Sequence, residues 1–214
     1  MDNQNKLLNT ALILSFITIA YNVIEGIVSV GYGLSDDTLA LLGFGVDSFV
    51  EVISGLGIVH MVLRMRYSKV SRRDNFERLA LRITGFSFYL LAGGLLVGAV
   101  LNLWMQAKPE TTVVGIIIAG LSILTMWWLI TTKMKVGKKL GSDAIIADAQ
   151  CTKTCFYLSI LLLASSGAFE IFQIGWIDAV GSLGIAWFAF SEGRESFEKA
   201  ASENLSCCGG NCHV

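Results

Sequence analysis

Long apolar runs, separated by short polar and charged segments, dominate the sequence. Two of them contain no charged residue: residues 83–107, which number 25, and residues 111–132, which number 22. Each exceeds the roughly 20 residues that an α-helix needs to cross the hydrocarbon core of a bilayer. Four further apolar runs carry isolated charges, namely residues 7–30, 38–63, 142–168 and 173–191. The pattern predicts six transmembrane helices, numbered one to six in chain order.

The composition excludes an ordinary soluble domain and a disordered chain. Of the 214 residues, 54% are hydrophobic and 15% are charged, and the mean hydropathy is +0.63. Soluble domains usually contain about 25% charged residues, and disorder requires low hydrophobicity with high charge. The net charge of −1 argues against nucleic acid as a partner. We therefore expect an all-α, multi-pass integral membrane protein with the lipid bilayer around it.

The basic residues predict how the helices are oriented. Fourteen of the 16 Lys and Arg residues fall at the termini, between helices two and three, or between helices four and five. The last of these connections is expected to contain Lys133, Lys135, Lys138 and Lys139. All these segments lie on one side of a six-helix topology, which the positive-inside rule places in the cytoplasm. Both termini are thus expected there, with residues 1–193 as the transmembrane transport domain and 194–214 as a short cytoplasmic tail.

Two pairs of polar side chains lie inside the predicted helices. Asp47 and Glu51 on helix two are four residues apart, as are Cys151 and Cys155 on helix five, so each pair shares one helix face. At ~1.5 Å per residue, Asp47 and Cys151 both lie ~14 Å inside the bilayer, near the middle of a ~30 Å core. Charged groups at that depth are costly, so they indicate a functional site.

The two pairs together could form a tetrahedral metal site, because Zn²⁺ prefers four ligands and thiolates favour zinc and softer ions. Asp148 lies on the same stripe of helix five, one turn nearer the cytoplasm. It is a candidate for a ligand on the way into the site, or for a replacement of one cysteine. The alternative for Cys151 and Cys155 is that they are small apolar side chains that fill the core.

Other polar residues inside the helices have a weaker connection to this site. Lys153 is the cation expected nearest the acidic pair, but it points away from Cys151, which favours pairing with a carboxylate of another helix. Asn22 and Glu25 on helix one are expected close enough to the outer interface to contact water.

A second group of metal-binding side chains stands near the end of the chain, in the run Cys-Cys-Gly-Gly-Asn-Cys-His. Three thiols and an imidazole within seven residues suit Zn²⁺, Cd²⁺ or Cu⁺, and a reducing cytoplasm argues against disulfides. The candidate ligands are Cys207, Cys208, Cys212 and His213. The alternative is a disordered, reactive tail.

Three segments resemble the cation diffusion facilitator family, which is also called the cation efflux family. They are Leu-Leu-Gly-Phe-Gly-Val-Asp-Ser-Phe-Val-Glu (41–51), Ala-Asp-Ala-Gln-Cys-Thr-Lys-Thr-Cys (147–155) and Trp-Ile-Asp-Ala-Val-Gly-Ser-Leu-Gly-Ile-Ala (176–186). The resemblance implies a homodimeric, six-helix exporter of Zn²⁺ and similar ions that is driven by proton exchange. The family's transport-site positions fall on Asp47, Glu51, Cys151 and Cys155.

Two features depart from the family pattern. The helix-five positions usually hold His and Asp, whereas both are Cys here, which affects the expected ion selectivity. The cytoplasmic metal-binding domain that usually follows helix six is not expected in this chain, and the Cys-rich tail is a candidate for a minimal substitute.

These observations favour a proton-coupled metal-ion exporter of the cell (inner) membrane, with Zn²⁺ or Cd²⁺ as the first candidates. It would work by alternating access, with the metal ion and protons as substrates, no cofactor and no enzymatic step. A carrier of Cu⁺ or Hg²⁺ is the nearest alternative. The others are a membrane metal sensor that binds through the tail and a thiol oxidoreductase that uses Cys151 and Cys155, although these lack the Cys-x-x-Cys spacing.

Overall fold

The structure is a computed structural model that describes residues 2–35, 39–67, 73–105, 113–172 and 176–202. Within these ranges the chain forms six α-helices and no strand. The helices are α1 (Asp2–Ser35), α2 (Leu39–Tyr67), α3 (Arg73–Met105), α4 (Val113–Leu140), α5 (Asp143–Phe172) and α6 (Trp176–Ala201). The predicted all-α fold of six helices is confirmed. Helix α6 continues past the predicted boundary between residues 193 and 194.

The bundle presents an apolar outer surface. Five of the described helices are long and apolar enough to cross a membrane, over Gln4–Ser35, Leu41–Met65, Asn75–Leu101, Ile116–Leu140 and Asp143–Ala164. Large side chains face outward, among them Trp104, which is 82% exposed, and Trp187 on α6, which is 75% exposed. Such a surface would be a liability in water and is suitable in lipid, where the helices satisfy their own backbone hydrogen bonds.

Glycines allow pairs of helices to pack very closely. A Cβ atom added to Gly33 on α1 would lie 2.6 Å from the backbone nitrogen of Leu42 on α2, and one added to Gly45 would lie 2.8 Å from that of Val30. A Cβ atom added to Gly193 on α6 would lie 3.0 Å from the ring of Tyr89 on α3. Small residues commonly serve this purpose in membrane bundles, where van der Waals packing drives helix association.

We expect Gly33→Ala to destabilise the bundle relative to Gly31→Ala. Both changes replace a helical glycine of α1, so the gain in helix propensity cancels between them. Only the methyl group at position 33 meets backbone atoms, whereas position 31 has open space around it. The difference in unfolding free energy should be about 1–3 kcal/mol, which is the usual cost of overpacking. Thermal unfolding of the two purified variants in detergent measures it, and equal stabilities would contradict the close α1–α2 contact.

The described ends of the chain lie at the same end of the bundle. Leu8 near the start of α1 belongs to one buried apolar cluster with Met65 of α2, Leu140 of α4 and Ala200 of α6. Arg78 at the start of α3 donates a hydrogen bond to the carbonyl of Ala200 at 3.0 Å. This arrangement agrees with an even number of membrane crossings, and described basic residues such as Arg78, Lys138 and Lys199 lie near this end.

Helices α4 and α5 are joined by a two-residue turn. Gly141 has a positive φ of 62°, a conformation that glycine adopts at little cost, and the N–H of Ser142 donates to the carbonyl of Gly137 at 3.0 Å. Glu77 of α3 caps α5, because its Oε1 accepts hydrogen bonds from Ser142 Oγ (2.9 Å) and the N–H of Ala144 (3.3 Å).

This turn corrects the predicted connection between helices four and five. Because α4 continues to Leu140, all four lysines assigned to the connection are helical. Lys135, Lys138 and Lys139 are exposed, but Lys133 is only 2% exposed and lies inside the bundle. The prediction that Lys133 belongs to a cytoplasmic loop is therefore wrong. Lys133 is helical and buried because the turn between α4 and α5 is tight, which lets α4 extend beyond its apolar run.

Candidate metal centre

The two predicted ligand pairs lie in the interior of the bundle, one on α2 and one on α5. Asp47 and Glu51 are 3% and 0% exposed, and Cys151 and Cys155, both free thiols, are 1% and 2% exposed. The Cys155 thiol lies close to both carboxylates of α2, and Cys151 is near enough to Glu51 and Asp148 for electrostatic interaction. The four side chains thus occupy one buried region between the two helices.

Several carboxylate oxygens in this region have no hydrogen-bond partner among the described residues. Both oxygens of Asp47 and the Oε2 atom of Glu51 are fully buried and, within the same part of the chain, accept no hydrogen bond. Buried polar groups are normally hydrogen-bonded, since leaving one unpaired costs a substantial part of its solvation free energy. Unpaired acceptors beside two thiols are suited to taking up a cation.

The candidate ligands do not form a closed metal cage as they stand. In the parts of the chain that the structure describes, no three or more His, Cys, Asp or Glu side chains are grouped so that they could hold a metal ion. Two of the candidates have other partners: Glu51 accepts a hydrogen bond from Thr152, and Asp148 accepts one from Ser54 at 2.7 Å. Binding of an ion by the whole set would therefore require these side chains to exchange partners.

Lys133 is the residue at this site that the sequence analysis missed. Its Nζ atom lies 2.8 Å from Asp148 Oδ2 and 3.8 Å from Glu51 Oε1. The same ammonium donates to Thr152 Oγ1 at 2.9 Å, and Thr152 in turn donates to Glu51. The sequence contains a signal for this contact. Gly141 is typical of the end of one helix, and Ser142 directly after it is typical of the start of the next. Helices paired across such a turn bring residues at similar distances from it, such as Lys133 and Asp148, face to face.

Lys153 has a different environment from Lys133. Its Nζ atom lies over the rings of Tyr157 and Phe188, 5.6 Å and 5.9 Å from their centroids, and it interacts electrostatically with Glu192 of α6. The interpretation that Lys153 associates with a carboxylate of another helix agrees with this position. The assumption that it is the nearest cation available to the acidic pair is wrong, because Lys133 occupies that place.

A further acidic residue lies near the site, on α1. Glu25 is 5% exposed and Asn22 is fully buried, so the expectation that they contact water near the outer interface is not met in this structure. Ser48 Oγ donates to Glu25 Oε2 at 2.9 Å, while Glu25 Oε1 and Asn22 Oδ1 have no hydrogen-bond partner in the part of the chain that the structure describes. Glu25 is close enough to Asp47 and Glu51 to interact with their charges.

A cavity of about 320 Å³ connects Asp47 with the half of the bundle opposite the basic end. It lies between α2, α3, α5 and α6, and its lining includes Gly94, Gly98, Leu162 and Ser182. Apart from Asp47 and Ser182, the lining side chains are apolar. Asp47 is therefore the carboxylate of the site that the cavity reaches.

The candidate tail ligands Cys207, Cys208, Cys212 and His213 lie outside the described residues.

Apolar helices around buried carboxylates define a multi-pass membrane protein of the transporter class, because ionisable groups at this depth are typical of ion pathways. The family model for the cation efflux transmembrane domain matches residues 15–203, which is most of the chain. The chain therefore belongs to the cation efflux family and is an integral membrane transporter of metal cations, not an enzyme. This excludes the thiol oxidoreductase. The chain matches no curated protein.

Proposed function

We propose that this protein exports Zn²⁺ or Cd²⁺ in exchange for protons, by alternating access around Asp47, Glu51, Cys151 and Cys155. The observation that carries the proposal is the Asp47 carboxylate, which lies beside Cys155 and at the cavity. Its two buried oxygens accept no hydrogen bond from any residue that the structure describes. A carboxylate kept in this state is available for an ion that arrives from the cavity or leaves through it.

The ligand set favours zinc-group ions. Two thiols and two carboxylates match the coordination number of Zn²⁺, and sulfur ligands raise the affinity for Cd²⁺ and other soft ions. Asp148 is a ligand for an ion that approaches from the basic end, since it lies one turn before Cys151 on α5. The carboxylates favour a divalent charge, which places Cu⁺ behind Zn²⁺ and Cd²⁺.

Proton exchange follows from the same ligands. Carboxylates and thiols must be deprotonated to bind a metal ion, so protons and metal compete for one site. Facing the cytoplasm, the site releases protons as it takes up metal. Facing outward, it takes up protons, which displace the metal.

The membrane and the oligomeric state complete the proposal. Residues 1–193 form the transport domain in the cell (inner) membrane, with both termini in the cytoplasm, and the protein works as a homodimer. The basic end of the bundle and the family membership support these assignments.

Transport by the purified protein in proteoliposomes tests the proposed function. Zn²⁺ and Cd²⁺ are expected to accumulate in vesicles with an acidic interior, with Mn²⁺ competing weakly. Release of protons from the vesicles should accompany the uptake. Transport of Cu⁺ or Hg²⁺ alone would favour the soft-metal carrier, and metal binding without any transport would favour a sensor.

The tail from Cys207 to His213 is proposed to capture metal ions for the transport site without forming part of it. A chain that ends after Leu205 should therefore show a higher KM for Zn²⁺ but nearly the same maximal rate. The matched control replaces the tail cysteines by serine and keeps the length. Complete loss of transport at saturating Zn²⁺ in the shortened chain would contradict an accessory role.

A further inference from the structure

Lys133 is a buried positive charge that shares the oxygen atoms of two candidate metal ligands. It contacts Asp148 Oδ2 at 2.8 Å and lies 3.8 Å from Glu51 Oε1, and Thr152 links it to the same Glu51 oxygen. The lysine is 2% exposed, so water screens these interactions very little. Within the described residues, it is the cation that pairs with Glu51 and Asp148.

We propose that the Lys133 ammonium is a tethered cation that competes with the transported metal ion for Glu51 and Asp148. A divalent ion and an ammonium at the same carboxylates would repel each other strongly in a medium of low dielectric constant. Metal binding therefore displaces Lys133 from these oxygens, and metal release lets it return. The inference rests on the proposed function, because it assumes that Glu51 takes part in metal binding.

Competition of this kind serves turnover. An acidic, thiol-containing site binds Zn²⁺ and Cd²⁺ tightly, and a site that binds too tightly releases its ion slowly. The tethered ammonium raises the free energy of the metal-bound state relative to the metal-free state, because it loses its partners when the ion binds. It thereby weakens equilibrium binding and speeds release. Its side chain extends from α4 to Asp148 on α5, so the exchange takes place between these two helices.

The other role open to Lys133 is a fixed brace between α4 and α5. Removing a brace would lower the stability of the fold, and it would leave the metal affinity unchanged or weaken it. A tethered competitor has the opposite signature: its removal tightens metal binding while it slows transport. The sign of the change in affinity distinguishes the two roles.

The test compares the affinity for Cd²⁺ and the transport kinetics of lysine variants of the full chain. Lys133→Met is expected to lower the Kd for Cd²⁺ by about tenfold or more, and to lower both KM and kcat. Lys133→Arg keeps the charge and should keep the Kd near the wild-type value. The matched control is Lys135→Met, which removes an exposed lysine of the same helix and should change neither quantity. An unchanged or increased Kd in folded Lys133→Met would overturn the inference.

Two further measurements test the inference if Lys133→Met does not fold. Lys133→Gln keeps a hydrogen-bond donor for Asp148 and carries the same expectation as the methionine variant. In the wild-type protein labelled with ¹⁵N-lysine, saturating Cd²⁺ should shift the side-chain resonance of Lys133, assigned by its absence from Lys133→Arg. A resonance unaffected by bound Cd²⁺ would contradict the displacement.

Failure of the inference differs from failure of the proposed function. If the wild-type protein neither binds nor transports Cd²⁺, the proposed function fails and the inference fails with it. If the wild-type protein transports Cd²⁺ and the Asp47→Ala variant no longer binds it, the proposed function holds. An unchanged Kd for Cd²⁺ in Lys133→Met would then refute only the inference that Lys133 competes with the metal ion.

Discussion

Replacing Asp47 by alanine is expected to lower metal transport by more than about 100-fold without destabilising the protein. Loss of a residue that merely supports a metal ligand already costs 10–100-fold, and Asp47 is proposed as a ligand itself. Among the described residues neither of its oxygens accepts a hydrogen bond, so the substitution removes a buried group that is costly to keep and affects only the weakly polar thiol of Cys155 beside it. Proteoliposome uptake of Zn²⁺ and thermal unfolding in detergent measure the two effects.

The neighbouring carboxylate provides a contrast. Glu51→Ala should also abolish transport, but it leaves the Thr152 hydroxyl without its acceptor and Lys133 without one of its two ion-pair partners, so it should lower the unfolding free energy by about 1–3 kcal/mol. The matched control is Asp143→Asn, an acidic residue in the first turn of α5 that lies outside the site. If the Asp47→Ala variant transports Zn²⁺ at the wild-type rate, Asp47 is not a metal ligand.

The double change Cys151→His with Cys155→Asp is expected to lower the ratio of Cd²⁺ to Zn²⁺ transport by about tenfold or more. It replaces two polarizable sulfur ligands by an imidazole and a carboxylate, which bind Zn²⁺ well and favour soft Cd²⁺ much less. Both positions are fully buried, so the larger side chains also cost some stability through overpacking. Competition between the two ions in one proteoliposome preparation measures the ratio and cancels differences in the amount of folded protein.

A second pair of substitutions separates ligand chemistry from packing. Cys151→Ala with Cys155→Ala keeps small apolar side chains at both positions and removes the sulfur atoms. It should lose transport of both ions if the thiols are ligands, and keep it if they only fill space. An unchanged ion ratio in the His and Asp variant, together with transport by the alanine variant, would make Asp148 the better ligand on α5.

The sequence alone predicted the helices because crossing a bilayer imposes a simple requirement. About 20 apolar residues are needed per crossing, and runs such as residues 83–107 meet it. The six helices and the membrane environment therefore followed from composition and run length. The two ligand pairs could be proposed for a related reason, since residues four apart share a helix face wherever the helix is placed.

What the sequence alone could not decide is which side chains meet between helices. Lys133 follows an apolar run and precedes three exposed lysines, so its position in the chain is that of a loop residue. Only the turn at Gly141 and the packing of α4 against α5 bring its ammonium to Asp148. Glu25 was likewise placed near water because its depth was judged from α1 alone, whereas the close contact of α1 with α2 buries it beside Ser48.

The physical reason is the difference between local and tertiary information. Hydrophobic run length and residue spacing act within one helix and are written in consecutive residues. The partner of a buried charge depends on the rotation and depth of two helices, which the packing of many side chains and close glycine contacts determines together. For this protein, the sequence determined a six-helix membrane bundle and the faces that carry its thiols and carboxylates. The tertiary structure decided that the Asp47 oxygens are unpaired among the described residues and that Lys133 pairs with Glu51 and Asp148.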